Sequence, residues 1–169
     1  MTFYAVIDTN VVLAALLSKK SDSATVKVIK AVMDGKIIPL IHDDILAEYE
    51  DVLHRDKFHL QPATIQTVLR AFRIYGLEVT PQKSDEIFPD LDDQIFYEIT
   101  LAKQDDNAYL VTGNQRHYPV RNFIVSPAQM ISIIVFHPLV VLRLTIRPLR
   151  AGQCTYLAHL RSPPPLLAC

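Results

Sequence analysis

The sequence predicts an α/β protein: a three-layer α/β/α sandwich around a mainly parallel central sheet, wound in Rossmann-like fashion. Three observations carry this. Short apolar runs of strand length alternate with stretches of helical period along most of the chain. Parallel neighbours need crossovers, and the intervening stretches are long enough to be helices. Two of the apolar runs also end abruptly in polar residues, Asp8-Thr9-Asn10 and Gly113-Asn114, as expected at the strand edge where such sheets carry their sites.

Each element has a local reason. Phe3 to Ile7 reads as a short buried strand, and Val11 to Leu17 as an apolar helical segment behind it. Ser21-Asp22-Ser23 supplies N-cap oxygens for a helix carrying Val26, Ile29, Val32 and Met33, which Gly35 stops. Lys36 to Ile41 is a second strand, in which Pro39 points to an edge or an end. Asp43-Asp44 opens a helix with Ile45, Leu46, Tyr49, Val52 and Leu53, and Pro62 opens another that runs to Phe72 and ends at Gly76. Leu77 to Val79 is a brief strand. Asp92-Asp93 then starts a helix with Ile95, Phe96, Ile99 and Ala102 on one face. Ala108 to Thr112 and Phe123 to Val125 complete the strands, and Ser126-Pro127 begins a last helix through Met130, Ile133 and Ile134.

At 169 residues, the chain is long enough for one core and short for two. Half of it is apolar and 21% charged, a globular composition. The formal net charge of -1 excludes a protein whose affinity comes chiefly from neutralising phosphates, so nucleic-acid contact must rest on a local patch or on metal ions. Cys154 and Cys169 form no C-x-x-C pair or disulfide framework, which points to a reducing compartment. The acidic Asp8 interrupts the apolar start, against a signal peptide, and the apolar run Met130 to Leu142 is shorter than a bilayer span. A soluble, cytoplasmic protein without membrane contact is expected. After Asp106 neither acids nor lysines appear, and Pro163-Pro164-Pro165 cannot continue a helix. The expected division is a folded domain over 1–135 and a Pro/Leu/Arg-rich extension over 136–169, disordered or out of frame.

Three acidic features fall where this fold would gather them: Asp8 after the first strand, Glu48 on the helix after the second, and Asp92-Asp93 opening a later helix. Converging carboxylates repel unless a cation sits among them, and hard cations such as Mg²⁺ prefer oxygen ligands. Each residue also has an ordinary explanation. Asp8 caps a helix equally well. Glu48 lies at one margin of its apolar face and Glu50 at the other, and periodicity does not choose between them. Asp92 and Asp93 suit a first helical turn whatever the function.

The combination resembles a family. V-I-D-T-N-V-V (Val6 to Val12), I-L-A-E-Y-E-D-V-L (Ile45 to Leu53), D-L-D-D-Q-I-F-Y-E (Asp90 to Glu98) and Y-L-V-T-G-N (Tyr109 to Asn114) are similar, in that order, to the signature segments of PIN domains. The likeness runs from about Phe3 to Val135 and is greatest to the toxin components of prokaryotic toxin–antitoxin pairs. It implies a PIN-like fold and metal-dependent hydrolysis of RNA phosphodiester bonds, leaving a 5′-phosphate and a 3′-hydroxyl. It assigns catalysis and metal binding to Asp8, Glu48 and Asp93, with Asp92 competing for the third place. The fourth acidic position falls on Asn114, a neutral departure that weakens the hold on a second ion. One or two Mg²⁺ (or Mn²⁺) ions are implied. Thr9, Asn10 and Thr112 resemble the polar neighbours that orient the first carboxylate and a water.

Substrate contacts are expected from Lys19 and Lys20 and from Arg116, His117 and Arg121, with Tyr118 or Phe123 available for stacking; a solvated basic loop explains each as well. The resemblance also implies an RNA substrate, a cognate antitoxin and a homodimer. The alternative is a non-catalytic PIN-like module that binds RNA or protein. A receiver-type signalling domain would need an acidic pair after the first strand, and a small-molecule phosphohydrolase a D-x-D there; the chain has D-T-N.

Overall fold

Strand formation follows the apolar runs. In the computed structural model, which describes residues 2–145 and side chains as far as Phe136, the strands are β1 (Phe3–Ile7), β2 (Ile37–Ile41), β3 (Leu77–Glu78), β4 (Tyr109–Val111) and β5 (Ile124–Val125). They pair in the order β3-β2-β1-β4-β5, every pairing parallel. The helices are α1 (Thr9–Leu17), α2 (Ala24–Met33), α3 (Asp43–Leu53), α4 (Pro62–Tyr75), α5 (Asp92–Leu101) and α6 (Pro127–Thr145). The chain divides into a unit of Met1–His137 and a second of Pro138–Cys169; the sheet and the site belong to the first. The extension expected over 136–169 lies, from residue 146 on, outside the described residues.

β1 sits at the centre with Ala5, Val6 and Ile7 fully buried. α5 lies against β1, β4 and β2 on one side, while Phe88 and Ser84 contact Tyr97 and Glu98, so five consecutive residues, Phe96 to Thr100, are buried rather than the single face expected. Such a helix needs no clean amphipathic stripe. Pro39 does not mark an edge, because β2 has β1 on one side and β3 on the other. β3 pairs only with Leu40 and Ile41, so the ladder on that side starts beyond the proline and makes no demand on its missing N–H.

Two glycines are required by geometry. Gly35 follows α2 at φ 68°, in the left-handed region. Gly76 ends α4 where a Cβ would stand 2.3 Å from the Phe72 carbonyl oxygen and 2.9 Å from the Ile41 side chain. Between β3 and α5 the chain runs through residues 80–91 without regular structure. Glu98 tethers this stretch, accepting from the Ser84 N–H at 3.0 Å and from Gln94 Nε2 at 2.7 Å. Phe88 plugs it into the core against Tyr97 and Tyr118.

The strand order reverses between β1 and β4. Chain order runs outward through β2 and β3 on one side and through β5 on the other. Open parallel sheets have a crevice at this point, beyond the C-terminal strand ends.

Candidate active site

β1 and β4 are in register at Ile7 and Val111, so the residues that follow them, Asp8 and Thr112, emerge side by side. The Asp8 N–H donates to the Val111 carbonyl at 2.9 Å, which extends the ladder one step into the crevice. Asp8 is only 4% exposed and serves two purposes. Its Oδ1 accepts from the Asn10 N–H at 2.8 Å and caps α1, while its Oδ2 accepts from the Thr112 hydroxyl at 2.5 Å. Burial pushes the Asp8 carboxyl above the ordinary range and the charge of Asp93 adds to that, against the hydrogen bonds from Thr112 and Asn10.

Glu48 comes from α3. The neighbouring Tyr49 fixes the helix by donating its buried hydroxyl to the Ile7 carbonyl at the end of β1. Burial keeps that phenol protonated. Glu48 Oε1 accepts from the Thr9 hydroxyl at 2.6 Å. Thr9 thus orients the second carboxylate, not the first as expected. Burial pushes Glu48 up to about 7, with Asp8, Asp92 and Asp93 adding to the rise and the Thr9 hydrogen bond opposing it. Glu50 is exposed and faces away, beside Asp51 and His54.

Asp93 sits in the first turn of α5. Its Oδ2 lies 2.9 Å from His117 Nδ1, and its Oδ1 accepts from the Tyr118 hydroxyl at 3.0 Å. Asp8, Glu48, Asp90, Asp92 and Asp93 all line one cleft of about 260 Å³, with Thr9 and Asn10 in its wall. Asn114 is outside that lining, its side chain turned to His117.

The basic residues expected at the substrate are mostly elsewhere. Lys19, Lys20 and Arg116 are exposed and outside the cleft lining, and Arg121 is ion-paired to Glu86 on the 80–91 stretch. His117 does line the cleft. Tyr118 is buried and bonded to Asp93, and the part-buried Phe123 packs against Tyr97; neither ring lines the cleft. Arg55, Lys57 and Phe58 line the cleft instead. Glu48 and Val52 reach the cleft from one face of α3, whereas Arg55 lies two residues beyond the end of that helix with extended backbone, so helical spacing does not place it there. Lys57 follows in a short 3₁₀ turn, Asp56–Phe58, with its ammonium 4.9 Å from the Phe58 ring centre. No periodic signal marks it.

The donor set fits a hard divalent cation: five carboxylates line one cleft, and two of them have proton affinity raised by burial and by the neighbouring carboxylates. The fit is to a hydrated ion and not to a closed cage. Among the described residues, no three His, Cys, Asp or Glu side chains form a ready-made metal site, and Asp8, Glu48 and Asp93 each accept a hydrogen bond from a protein donor. Mg²⁺ is commonly held by one or two carboxylates with water and substrate oxygens completing the shell. Asp8, Glu48 and Asp93, with Asp92 beside them, are the residues that would hold it.

An all-parallel α/β/α sheet with an acidic crevice at its switch point is the architecture of a PIN-like fold. The chain belongs to the PIN-domain family, whose defining sequence pattern matches residues 4–116. PIN domains are generally nucleases and typically use divalent metal ions. No curated protein and no solved structure matches the chain. Among the described residues, no helix is long and apolar enough to cross a membrane.

Proposed function

We propose that this PIN domain is a Mg²⁺- or Mn²⁺-dependent endoribonuclease of the cytoplasm, the toxin of a type II toxin–antitoxin pair. The observation that carries the reading is the common cleft of Asp8, Glu48 and Asp93. A bound divalent ion supplies an activated water and neutralises charge at the scissile phosphodiester. The chain's own residues do the rest. Thr112 and the Asn10 N–H fix Asp8, and Thr9 fixes Glu48. Arg55 and Lys57 hold the RNA backbone at the cleft, and Phe58 offers a ring for a base. A cognate antitoxin that covers the cleft, and a homodimer, complete the proposal.

The non-catalytic module remains the second reading, favoured by the lack of a ready metal cage among the described residues and by the amide at position 114. One experiment separates them. The intact chain and Asp8→Asn are incubated with a mixed RNA pool in Mg²⁺, Mn²⁺ or EDTA. Metal-dependent cutting that Asp8→Asn reduces to background, with its circular dichroism unchanged, is the expected result. Cutting that persists in EDTA overturns the mechanism, and specific RNA binding without cutting favours the module.

A further inference from the structure

Asn114 stands where the resemblance puts a fourth acid, yet it does not line the cleft. Its Nδ2 lies 2.6 Å from Nε2 of His117, and Nδ1 of the same ring lies 2.9 Å from Asp93 Oδ2. An amide NH₂ only donates, so Nε2 accepts, and a neutral ring then carries its proton on Nδ1, where it donates to Asp93. Turning the amide over would require the proton on Nε2 and set the Nδ1 lone pair against a carboxylate oxygen. A single assignment of the neutral ring therefore pairs donor with acceptor at both contacts. Asn114 is itself held. Its N–H donates to the Thr112 hydroxyl oxygen at 2.9 Å, and that hydroxyl donates to Asp8. An unbroken hydrogen-bonded path thus runs from Asp8 through Thr112, Asn114 and His117 to Asp93.

We propose that Asn114 and His117 are positioning residues rather than ligands: Asn114 selects the Nδ1–H form of His117, which aims Asp93 into the cleft. The role rests on the nuclease reading above and specifies how its third carboxylate is held. Each Asp93 oxygen takes one protein hydrogen bond, from His117 or Tyr118, and keeps a lone pair for the cleft. An acid at position 114 would accept from Nε2 and draw the proton of a neutral ring away from Asp93. The amide is the side chain this arrangement needs.

The test uses the full chain labelled with ¹⁵N-histidine. Long-range ¹H–¹⁵N spectra of the metal-free protein, recorded where the ring is neutral, report the tautomer, and His117→Asn identifies the His117 signals among the six histidines. His117 is expected as Nδ1–H, and Asn114→Leu should shift it toward Nε2–H, the form preferred in water. Mn²⁺ titration of the same proteins gives the second readout. The amide of Asn reaches about where Nδ1 does and that of Gln about where Nε2 does. His117→Asn should therefore keep Mn²⁺ affinity within about threefold, while His117→Gln and Asn114→Leu weaken it roughly 10- to 100-fold, as for partners that orient a metal ligand. An Nε2–H ring in the unaltered chain, or unchanged Mn²⁺ affinity and cutting in His117→Gln, overturns the positioning role and leaves the nuclease reading standing. An unaltered chain that neither binds Mn²⁺ nor cuts RNA overturns both.

Discussion

Glu48 is the side chain through which pH acts on this site most directly. Its carboxyl titrates at about 7 in the fold against 4.5 in a free chain, chiefly because it is buried. The native state therefore keeps a proton that the unfolded chain releases above 4.5. In the metal-free protein the contribution of this carboxyl to stability is fully present below that value and is lost as pH rises through about 7. Asp8, also shifted upward, contributes with the same sign. Metal binding needs the ionised form, so Mg²⁺ affinity should climb across the same window. In Glu48→Gln the fall in melting temperature over this range, measured in EDTA, should largely vanish and Mg²⁺ affinity should drop at every pH; an unchanged slope would remove Glu48 as its source. Asp8 shows what the sequence carried at this scale. Helix cap and site residue read as alternatives along the chain, yet Oδ1 caps α1 while Oδ2 accepts from Thr112, so the cap leaves the proposed site role open. The partners of these acids were less legible, because Thr9 with Glu48 and His117 with Asp93 are tertiary pairs that no local spacing encodes.

Among the elements, α3 illustrates both sides of that lesson. Its period places Glu48 and Val52 on one face but left Glu48 and Glu50 undecided. The family resemblance chose Glu48, and the fold puts Glu48 in the cleft and Glu50 outside it, while Arg55 arrives from the extended segment past the helix end. Lys57 sits beyond the helix in a 3₁₀ turn, where periodicity stops. Replacing Arg55 and Lys57 together by Ala should raise KM about tenfold with kcat nearly unchanged. If both contact phosphates, the salt dependence of RNA binding should become shallower by about 1.4 on a log–log plot, roughly 0.7 per contact on a single strand. A fall in kcat with constant KM would argue against a backbone-holding role. The end of α4 is a packing constraint. Gly76→Ala drives a methyl into the Phe72 carbonyl and Ile41, and urea denaturation should show a loss of about 1–3 kcal/mol. Wild-type stability in that variant would mean the α4–β2 approach is looser than described.

At the scale of the whole molecule, alternation in the sequence announced a parallel sheet, but not its strand order. That order creates the site, since Asp8 and Thr112 are 104 residues apart in sequence and become neighbours only when β4 returns beside β1. The proposed domain limit belongs to this scale too. Met130 is fully buried in α6 and Ile131, Ile133 and Ile134 pack on the core, whereas Val135 and Phe136 are more than half exposed. A chain ending at Val135 should therefore unfold cooperatively within a few degrees of the full chain and retain RNA cutting. Loss of a cooperative transition would place residues beyond 135 in the fold.

The irregular stretch before α5 has a practical consequence. Ile87 there is 93% exposed, and a break beside it leaves Asp8 and Glu48 on one fragment and Asp93 on the other. The Ser84–Glu98 and Glu86–Arg121 contacts would then act as clasps between the two pieces. The proposed nuclease could thus be delivered as two separate halves, expected to cut RNA only on meeting.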